Sequence, residues 1–565
     1  MSDDNTLLNM PVDGESYDYI VIGSGFGGGV AAATLAENGQ DVLVLERGGL
    51  YPPGGFPRTP LQMSTNFWDP SEGLYGLFDL WSFRSFEAVV SSGVGGGSLI
   101  YANVLRRKER DSYDHGWPSE ITSEDLEEHY ARVEGDLGAT TYPYLAADDE
   151  GTGQFPYVRN TPKASSFKNA AERAKLHWEP ANLAIRFSGK DEPVGEPFDA
   201  PKDNMHEAPR STCRLCGECD IGCNSGSKNT IDLTYLSRPE LRGRVVHLCE
   251  AKWIWPAGDS DGSDGWYVKA VRYPSQRATR HDRGDNLERK VHCFKTKRLV
   301  LSAGTLGTTY LLLRNRANLP HISTALGRQF SGNGDFLGFF THGRNTIESS
   351  RAPVITGMVV DKEGGHGRAA HRTVLVQDGG APVLADWLGE IISVSMIRRL
   401  SRVALALARA HLIGAPGTRV SVELNEALGA VPLAHAFPVL GMGYDVPGGV
   451  MRLRDGELAI DWENAYSKPA FKAIQRIMQE MAGALDARFI KGPSSLLSRM
   501  VTVHPLGGCP MGQENNGVVD FYGRVHGYQN LFVADGSVLS GPLGVNPSLT
   551  IAALASRFSE EWLKS

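Results

Sequence analysis

Hydrophobic residues near the start of the chain form short continuous runs on either side of a helical pattern. Residues 17–22 (YDYIVI) and 41–46 (DVLVLE) are mostly apolar, which is typical of strands buried on both faces. Between them, small apolar residues at 27–38 predict a helix, and Gly39 suits the position just beyond a helix C-terminus. The pattern predicts a βαβ unit.

Later segments extend this pattern. An apolar run at 298–304 leads into a helical pattern at 305–315, which predicts a return to the same parallel sheet. A helix is predicted at 119–135, a meander of strands from 244–256 onward, and mixed strands and helices at about 325–490. Near the C-terminus, Asn546 is predicted to cap a helix with Pro547 at its first position, because Asn and Pro favour these places.

Size and charge narrow the class of protein. A chain of 565 residues is expected to form two packed domains, and it can bury a large cofactor. The net charge is -8 and no Lys/Arg-rich block occurs, which argues against a nucleic-acid partner. The acidic N-terminus lacks the features of a secretory signal, and no run of eighteen apolar residues occurs, so we expect a cytoplasmic protein without a membrane span.

A glycine motif follows the first predicted strand. Gly23, Gly25 and Gly28 form GxGxxG where the helix begins, so backbone N-H groups can approach a pyrophosphate. Glu46 ends the second strand, where a carboxylate can bind ribose hydroxyls. The motif predicts a dinucleotide cofactor and does not distinguish NAD from FAD.

Further motifs make that distinction. The chain resembles the glucose-methanol-choline (GMC) oxidoreductase family, most closely its sterol oxidase branch, through GSGFGGG, LERGG, GVGGGSLIYANV, LVLSAGTLGT, LGRQFSGNGDFLG, HPLGGC, NLFVADGSVLSG and GVNPSLTIAALA. The resemblance implies an α/β fold with a Rossmann-like FAD-binding domain and a substrate-binding domain on a mainly antiparallel sheet. We expect the former at 1–110, 235–335 and 490–565, and the latter at 111–234 and 336–489.

The resemblance also implies roles for individual residues. His504 would accept the hydroxyl proton of an alcohol, and Asn546 would bind the substrate oxygen and the flavin edge. Asp386 in PVLADW corresponds to a glutamate of the sterol oxidases, which is one methylene longer; it would either have a catalytic or substrate-positioning role or be a polar residue at a helix start. The implied FAD contacts, besides those of the GxGxxG motif, are Gly97, Asn103, Val104, Ala251, Asp535, Gly536, Asn546, Pro547 and Ser548. Asn103 is displaced by two positions from the asparagine of the sterol oxidases, where this chain has Tyr101.

A cysteine run leaves several interpretations open. Cys213, Cys216, Cys219 and Cys223 have the C-x2-C-x2-C-x3-C spacing of ferredoxins, but Asn224 follows where proline is usual. The interpretations are packed or redox-active thiols, an iron-sulfur cluster with Cys223 or Cys249 as fourth ligand, and a zinc site.

The substrate and the electron acceptor also remain open. Residues 387–413 are apolar at helical spacing and carry Arg398, Arg399, Arg402 and Arg409, which fits either a lid over an apolar pocket or a helix on a membrane surface. Both interpretations favour a bulky apolar alcohol, such as a sterol, over a sugar. The acceptor would be molecular oxygen or a soluble electron carrier. In the alternative enzymatic interpretation, the protein is a dehydrogenase of another alcohol and passes its electrons to a carrier, in one version through an iron-sulfur cluster. A flavin and thiol redox sensor without alcohol oxidation is the alternative of another class.

Overall fold

The computed structural model describes residues 16–113, 116–146, 161–199, 203–258, 261–274, 290–341, 348–362, 373–380, 437–491 and 500–564. Asp386 and the arginine-bearing segment 387–413 lie outside these ranges. Their predicted contributions to the substrate site and to a membrane surface therefore stay predictions. Within the described ranges, no helix combines the length and apolar character needed to cross a bilayer.

The described residues form seven α-helices and twenty-four strands. The helices are α1 (Phe26–Glu37), α2 (Pro60–Ser64), α3 (Ser123–Asp136), α4 (Pro162–Arg173), α5 (Gly304–Arg314), α6 (Lys468–Ala484) and α7 (Ser548–Trp562). The strands are β1 (Ser16–Ile22), β2 (Val42–Leu45), β3 (Trp68–Asp69), β4 (Leu74–Tyr75), β5 (Phe78–Ser82), β6 (Phe86–Ser91), β7 (Thr140–Thr141), β8 (Trp178–Pro180), β9 (Asn182–Leu183), β10 (Pro197–Asp199), β11 (Arg210–Ser211), β12 (Val245–Val246), β13 (Cys249–Pro256), β14 (Trp266–Arg272), β15 (Lys290–Leu301), β16 (Phe336–Thr341), β17 (Gly357–Asp361), β18 (Val374–Asp378), β19 (Phe437–Met442), β20 (Val450–Arg454), β21 (Glu457–Asp461), β22 (Arg488–Lys491), β23 (Met500–Thr502) and β24 (Leu531–Val533).

The first large sheet is a Rossmann-like layer. Its order is β12-β2-β1-β15-β14-β13, and β24 also pairs with β15. The pairings β12/β2, β2/β1, β1/β15 and β15/β24 are parallel, whereas β13, β14 and β15 form an antiparallel meander. The predicted βαβ unit is present as β1, α1 and β2. Its apolar runs are mostly buried, as expected for strands covered on both faces of the sheet.

The second large sheet is antiparallel, in the order β22-β16-β19-β18-β17-β8. The amphipathic helix α6 packs its buried side chains against this sheet. Together the two sheets confirm the predicted fold class. The predicted domain boundaries stay a prediction.

Close backbone packing holds α1 between the parallel sheet and α7. A Cβ atom on Gly27 would collide with the carbonyl oxygen of Ala534, which directly follows β24. Any larger residue there would push α1 away from the sheet, so Gly27 is required for this packing. This packing places the loop between β1 and α1 at the carboxyl end of the parallel strands, where cofactors bind in such sheets.

Candidate active site

The glycine loop after β1 is fixed by Glu46. The Glu46 carboxylate accepts hydrogen bonds from Ser24 N (3.1 Å), Ser24 Oγ (2.6 Å) and Gly48 N (2.8 Å). Gly23 has a φ of +101°, a conformation that L side chains rarely adopt. The structure thus brings the predicted Gly23, Gly25, Gly28 and Glu46 together, with Glu46 bound to the loop itself.

A second glycine loop lies directly against the first. A Cβ atom on Gly96, whose φ is +55°, would come within 2.5 Å of the Cα atom of Gly25. Gly95 N also donates to Ser24 Oγ at 3.1 Å. The two glycine loops therefore lie against each other with little side-chain bulk at their contact, and Gly97, which follows, is exposed.

The buried carboxamide of Asn103 is a further feature that fits a bound flavin. Its side chain is fully buried, its φ is +67°, and neither Oδ1 nor Nδ2 has a hydrogen-bond partner among the described residues. A buried carboxamide without partners costs about 1–3 kcal/mol per polar group, unless a ligand pairs with it. The neighbouring Val104 carbonyl accepts from Ser548 Oγ (3.2 Å), which ties this segment to the start of α7. The residues present therefore fit a polar, planar cofactor edge.

Three other predicted FAD contacts are Asp535, Gly536 and Ala251. The Asp535 carboxylate accepts from Ser537 N (2.8 Å), Gly304 N (2.9 Å) and Thr308 Oγ1 (2.5 Å), so it fastens the start of α5. Burial raises the pKa of this carboxyl. Gly536 adjoins it, and Ala251 lies on β13, beside an irregularity in the pairing with β14. The contacts of these residues with FAD stay predictions.

His504 is held by a buried carboxylate that the sequence analysis missed. His504 Nδ1 donates to Asp335 Oδ1 at 2.7 Å, and Asp335 Oδ2 accepts from Thr502 Oγ1 (2.9 Å), Val503 N (2.8 Å) and His504 N (3.0 Å). The Asp335 side chain is 0% exposed and that of His504 is 16% exposed. Because the carboxylate only accepts, Nδ1 carries the hydrogen and Nε2 is left free to accept a proton.

Asn546 is paired with a second residue that was not predicted. Gln377 Nε2 donates to Asn546 Oδ1 at 2.8 Å, and Asn546 Nδ2 donates to Gln377 Oε1 at 3.3 Å. The prediction that Asn546 caps the last helix is wrong: α7 starts at Ser548 after Pro547, and the Asn546 side chain turns to Gln377 instead of the helix N-H groups. The Asn546 carboxamide therefore remains in the candidate active site and does not cap the helix.

One segment, residues 331–335, supports both His504 and Asn546. Asn333 Oδ1 accepts from Leu543 N (2.8 Å) and Gly544 N (3.1 Å), and Asn333 Nδ2 donates to Val545 O (2.8 Å), so it holds the loop that ends in Asn546. Two residues later, Asp335 holds His504. The segment therefore fixes the two predicted catalytic residues relative to each other.

Asp445 clamps this same segment. Its carboxylate accepts from Ser331 Oγ (2.5 Å), Gly332 N (2.8 Å) and Gly334 N (3.2 Å). Burial, with the charge of Asp335 nearby, raises the pKa of Asp445 to about 6. At neutral pH the carboxylate is therefore ionised and can accept all three hydrogen bonds.

The cysteine run does not form a metal site. All four cysteines are described, and no group of three or more metal-ligating side chains occurs in the described part of the chain. Cys213 and Cys219 pack in an apolar cluster, where burial raises the pKa of both thiols. Cys249 belongs to a different hydrophobic cluster. The iron-sulfur and zinc predictions are therefore not supported.

Lys228 links the cysteine segment to the second glycine loop. Its buried Nζ donates to the carbonyls of Leu99 (3.1 Å), Tyr101 (2.9 Å) and Cys219 (2.8 Å), and it lies 4.9 Å from the centre of the Tyr101 ring. Burial lowers the pKa of Lys228 to about 8. The cysteine-rich segment thus supports the backbone that precedes Asn103.

Substituting Lys228 by methionine should destabilise the protein and weaken flavin retention. Three buried carbonyls would lose their donor, at a cost of about 3 kcal/mol or more. A depressed pKa means that the unfolded state binds the proton more tightly between about pH 8 and 10.5, so the stabilising contribution of Lys228 grows as the pH rises through that window. Unfolding in urea at pH 7 and pH 9.5 should show a larger deficit for Lys228→Met at pH 9.5; an equal deficit would contradict the burial argument.

Comparisons with known proteins agree with this geometry. The family model described as GMC oxidoreductase matches residues 465–555, and one described as an NAD(P)-binding Rossmann-like domain matches residues 21–55. The chain is 30% identical to a cholesterol oxidase of Mycobacterium tuberculosis, covering 97% of this chain and 91% of that one. It is 28% identical to a cholesterol oxidase of Acinetobacter baumannii, covering 97% and 94%.

More distant relatives extend the comparison. A long-chain-alcohol oxidase of Arabidopsis thaliana is 24% identical over 97% of this chain and 67% of its own length. The crystal structure of pyridoxine 4-oxidase from Mesorbium loti superposes with a TM-score of 0.54 at 16% identity, over 97% of this chain and all of that one. This last likeness concerns the fold alone. The chain belongs to the GMC oxidoreductase family and is an FAD-dependent oxidoreductase that acts on CH-OH donors.

Proposed function

We propose that this enzyme oxidises the hydroxyl-bearing carbon of a bulky apolar alcohol, with a sterol as the first candidate, and that His504 accepts the hydroxyl proton. The observation that carries the proposal is the His504–Asp335 pair at 2.7 Å. A general base must present a free lone pair and keep it in one direction. Asp335 meets both needs by fixing the tautomer and the plane of the ring, while its own position is set by three further hydrogen bonds.

Asn546 completes the proposed arrangement as a hydrogen-bond donor to the substrate oxygen. Its Nδ2 carries two hydrogens, of which one is bound to Gln377 and the other is free. A donor at this place stabilises negative charge on the oxygen as His504 removes the proton. Since segment 331–335 holds both residues, their relative placement is set before the alcohol arrives.

FAD, when bound, would accept the hydride from the carbinol carbon. Gly23, Gly25 and Gly28 would hold its pyrophosphate against backbone N-H groups, with Glu46 fixing the loop and near the ribose. Asn103 would pair with a polar edge of the ring through its two unpartnered amide atoms. Gly97, Val104, Ala251, Asp535, Gly536, Asn546, Pro547 and Ser548 remain the further proposed contacts.

The relatives support an apolar alcohol as substrate. The cholesterol oxidases and the long-chain-alcohol oxidase reported above are named for substrates that bear a hydroxyl on a large hydrocarbon body. They are also named oxidases, and we therefore propose molecular oxygen as the acceptor. Asp386 and the arginine-bearing segment are expected to shape the pocket.

A substrate panel tests this proposal. A sterol, a long-chain primary alcohol and a hexose should be compared in air-saturated buffer, with peroxide and the carbonyl product measured together. The proposal predicts equal amounts of peroxide and ketone with the sterol, and at least about tenfold lower kcat/KM with the hexose, because the hexose leaves apolar surface unfilled. Turnover that needs an added electron carrier would contradict the oxygen assignment, and a preference for the hexose would contradict the substrate class.

A further inference from the structure

The pair formed by Gln377 and Asn546 is unusual for its reciprocity. Both side chains are buried, Gln377 completely and Asn546 to 6% exposure. Each carboxamide donates one hydrogen bond and accepts one from the other, at 2.8 and 3.3 Å. Two such bonds define the plane of both amides, whereas a single bond would let either amide rotate about its own axis.

The position of Gln377 is itself fixed by its strand and by the residue that follows it. It lies on β18, between β17 and β19, at the interior of the antiparallel sheet. The next residue, Asp378, is 0% exposed and pairs with the equally buried Lys163 Nζ at 2.8 Å. Asp378 also accepts from Thr356 N (2.7 Å) and Gly357 N (2.9 Å). A buried ion pair with its remaining lone pairs satisfied resists displacement, since breaking it would leave an unpaired charge in the interior.

The consequence concerns which atom of Asn546 meets the substrate. A carboxamide presents a donor on one side and an acceptor on the other, and a rotation of 180° exchanges them. If Asn546 rotated alone, Nδ2 would face Gln377 Nε2 and Oδ1 would face Gln377 Oε1, so the pair opposes this rotation and keeps the second hydrogen of Asn546 Nδ2 available to the substrate. The rotated form would turn an oxygen lone pair toward an oxygen that is losing its proton, which is repulsive.

We propose that Gln377 is a positioning residue that keeps the Asn546 carboxamide in its donor orientation. The inference rests on the proposed role of Asn546 as a donor to the substrate oxygen. It extends the active site from the FAD-bearing sheet to the interior of the antiparallel sheet. Among the described residues, the Gln377 side chain hydrogen-bonds to Asn546 alone, so its effect on the substrate oxygen is expected to pass through Asn546.

The substitution Gln377→Glu tests this orientation because it keeps the shape and makes the donor titratable. A protonated glutamic acid can still donate to Asn546 Oδ1 and accept from Nδ2, and so it reproduces the pair. An ionised glutamate only accepts, so one of its oxygens faces Asn546 Oδ1 whichever way the amide lies, and the preference for the donor orientation is lost. The rate constant for anaerobic flavin reduction by the alcohol should therefore rise toward low pH in the variant, relative to the same profile of the wild type.

The remaining charges near the pair are the same in both proteins. They are the Asp378–Lys163 ion pair and the Asp335–His504 pair, and the substitution alters neither of them. Gln513→Glu, at an exposed residue that contacts Glu120, is the matched control for an added charge. The control should keep the wild-type profile.

A second substitution covers the case in which a buried glutamate prevents folding. Gln377→Met keeps the length without any hydrogen bond, and it should lower the limiting rate of flavin reduction about tenfold while leaving the apparent Kd of the alcohol nearly unchanged. The absorbance spectrum of the bound flavin and the thermal midpoint report folding in parallel. If the alcohol reduces the wild type and both variants follow its rate and pH profile, the positioning role is wrong. If the alcohol fails to reduce even the wild type, the proposed function is wrong instead.

Discussion

Replacing His504 by alanine is expected to slow anaerobic flavin reduction by the alcohol about 10²- to 10⁴-fold, the usual contribution of a positioned general base. The variant should still fold and hold FAD, because Asp335 keeps three of its four donors, two of them backbone N-H groups. The measurement is the limiting rate of flavin bleaching in a stopped-flow instrument, with the flavin-to-protein absorbance ratio taken on the same samples.

The control for this substitution is His177→Ala, at a histidine that is 71% exposed and remote from these contacts. It should reduce at the wild-type rate. A His504→Ala enzyme that reduces as fast as the wild type would show that another group takes the proton.

Asp335→Asn is expected to cost about 10³- to 10⁴-fold in the same rate, nearly as much as removing the histidine. An asparagine that still accepts from Val503 N and His504 N must turn its NH2 group toward His504 Nδ1. That arrangement favours the tautomer with the proton on Nε2, so the base nitrogen is blocked. The enzyme should keep its affinity for the alcohol, because Asp335 is fully buried and does not reach the substrate.

A surface carboxylate provides the comparison for Asp335. Asp461→Asn removes an equal charge from β21, where Asp461 pairs with Arg452 and is 50% exposed. That variant should be unchanged, since exposed ion pairs contribute about 1 kcal/mol or less. Retention of most of the activity by Asp335→Asn would mean that the ring of His504 is oriented by something other than this carboxylate.

Local patterns were sufficient for the FAD-binding half of the fold. The runs that form β1 and β2 are buried on both faces, and the glycines that follow β1 are required by a positive φ and by packing against Ala534. The burial of these runs and the positive φ of Gly23 are local to residues 16–46 and can be predicted from the sequence, whereas the packing of Gly27 against Ala534 joins residues far apart in sequence. The start of α7 was misplaced by one residue because the prediction assigned the Asn546 side chain to the helix and not to Gln377.

The residues that hold His504 and Asn546 in place could not be predicted from local patterns. Asp335 lies 169 residues from His504 along the chain, and Gln377 lies 169 residues from Asn546. Nothing in the spacing of these residues links them, since their contacts arise only when the two sheets pack together. Polar residues in otherwise apolar strands, such as Gln377 and Asp378 in VLVQD, were the available signal. A buried polar residue must have a partner, but the sequence does not say which one.

For the cysteine run, the interpretation as packed thiols fits the fold, and the iron-sulfur and zinc alternatives are not supported. Its spacing matched a ligand pattern, yet the fold places Cys213 and Cys219 in an apolar cluster and leaves Cys216 exposed. Spacing alone states which residues are near in sequence, whereas metal binding depends on where their sulfur atoms converge. Lys228, the next charged residue, is the one that the segment presents to the glycine loop.

The most direct test of the account is an anaerobic titration of the purified wild-type enzyme with a sterol, followed by its visible spectrum. The account predicts that the flavin bands bleach fully with about one equivalent of the alcohol, and that the corresponding ketone leaves them unchanged. A flavin that stays oxidised with the sterol, and equally with a long-chain alcohol, would contradict the assignment of this site to the oxidation of apolar alcohols.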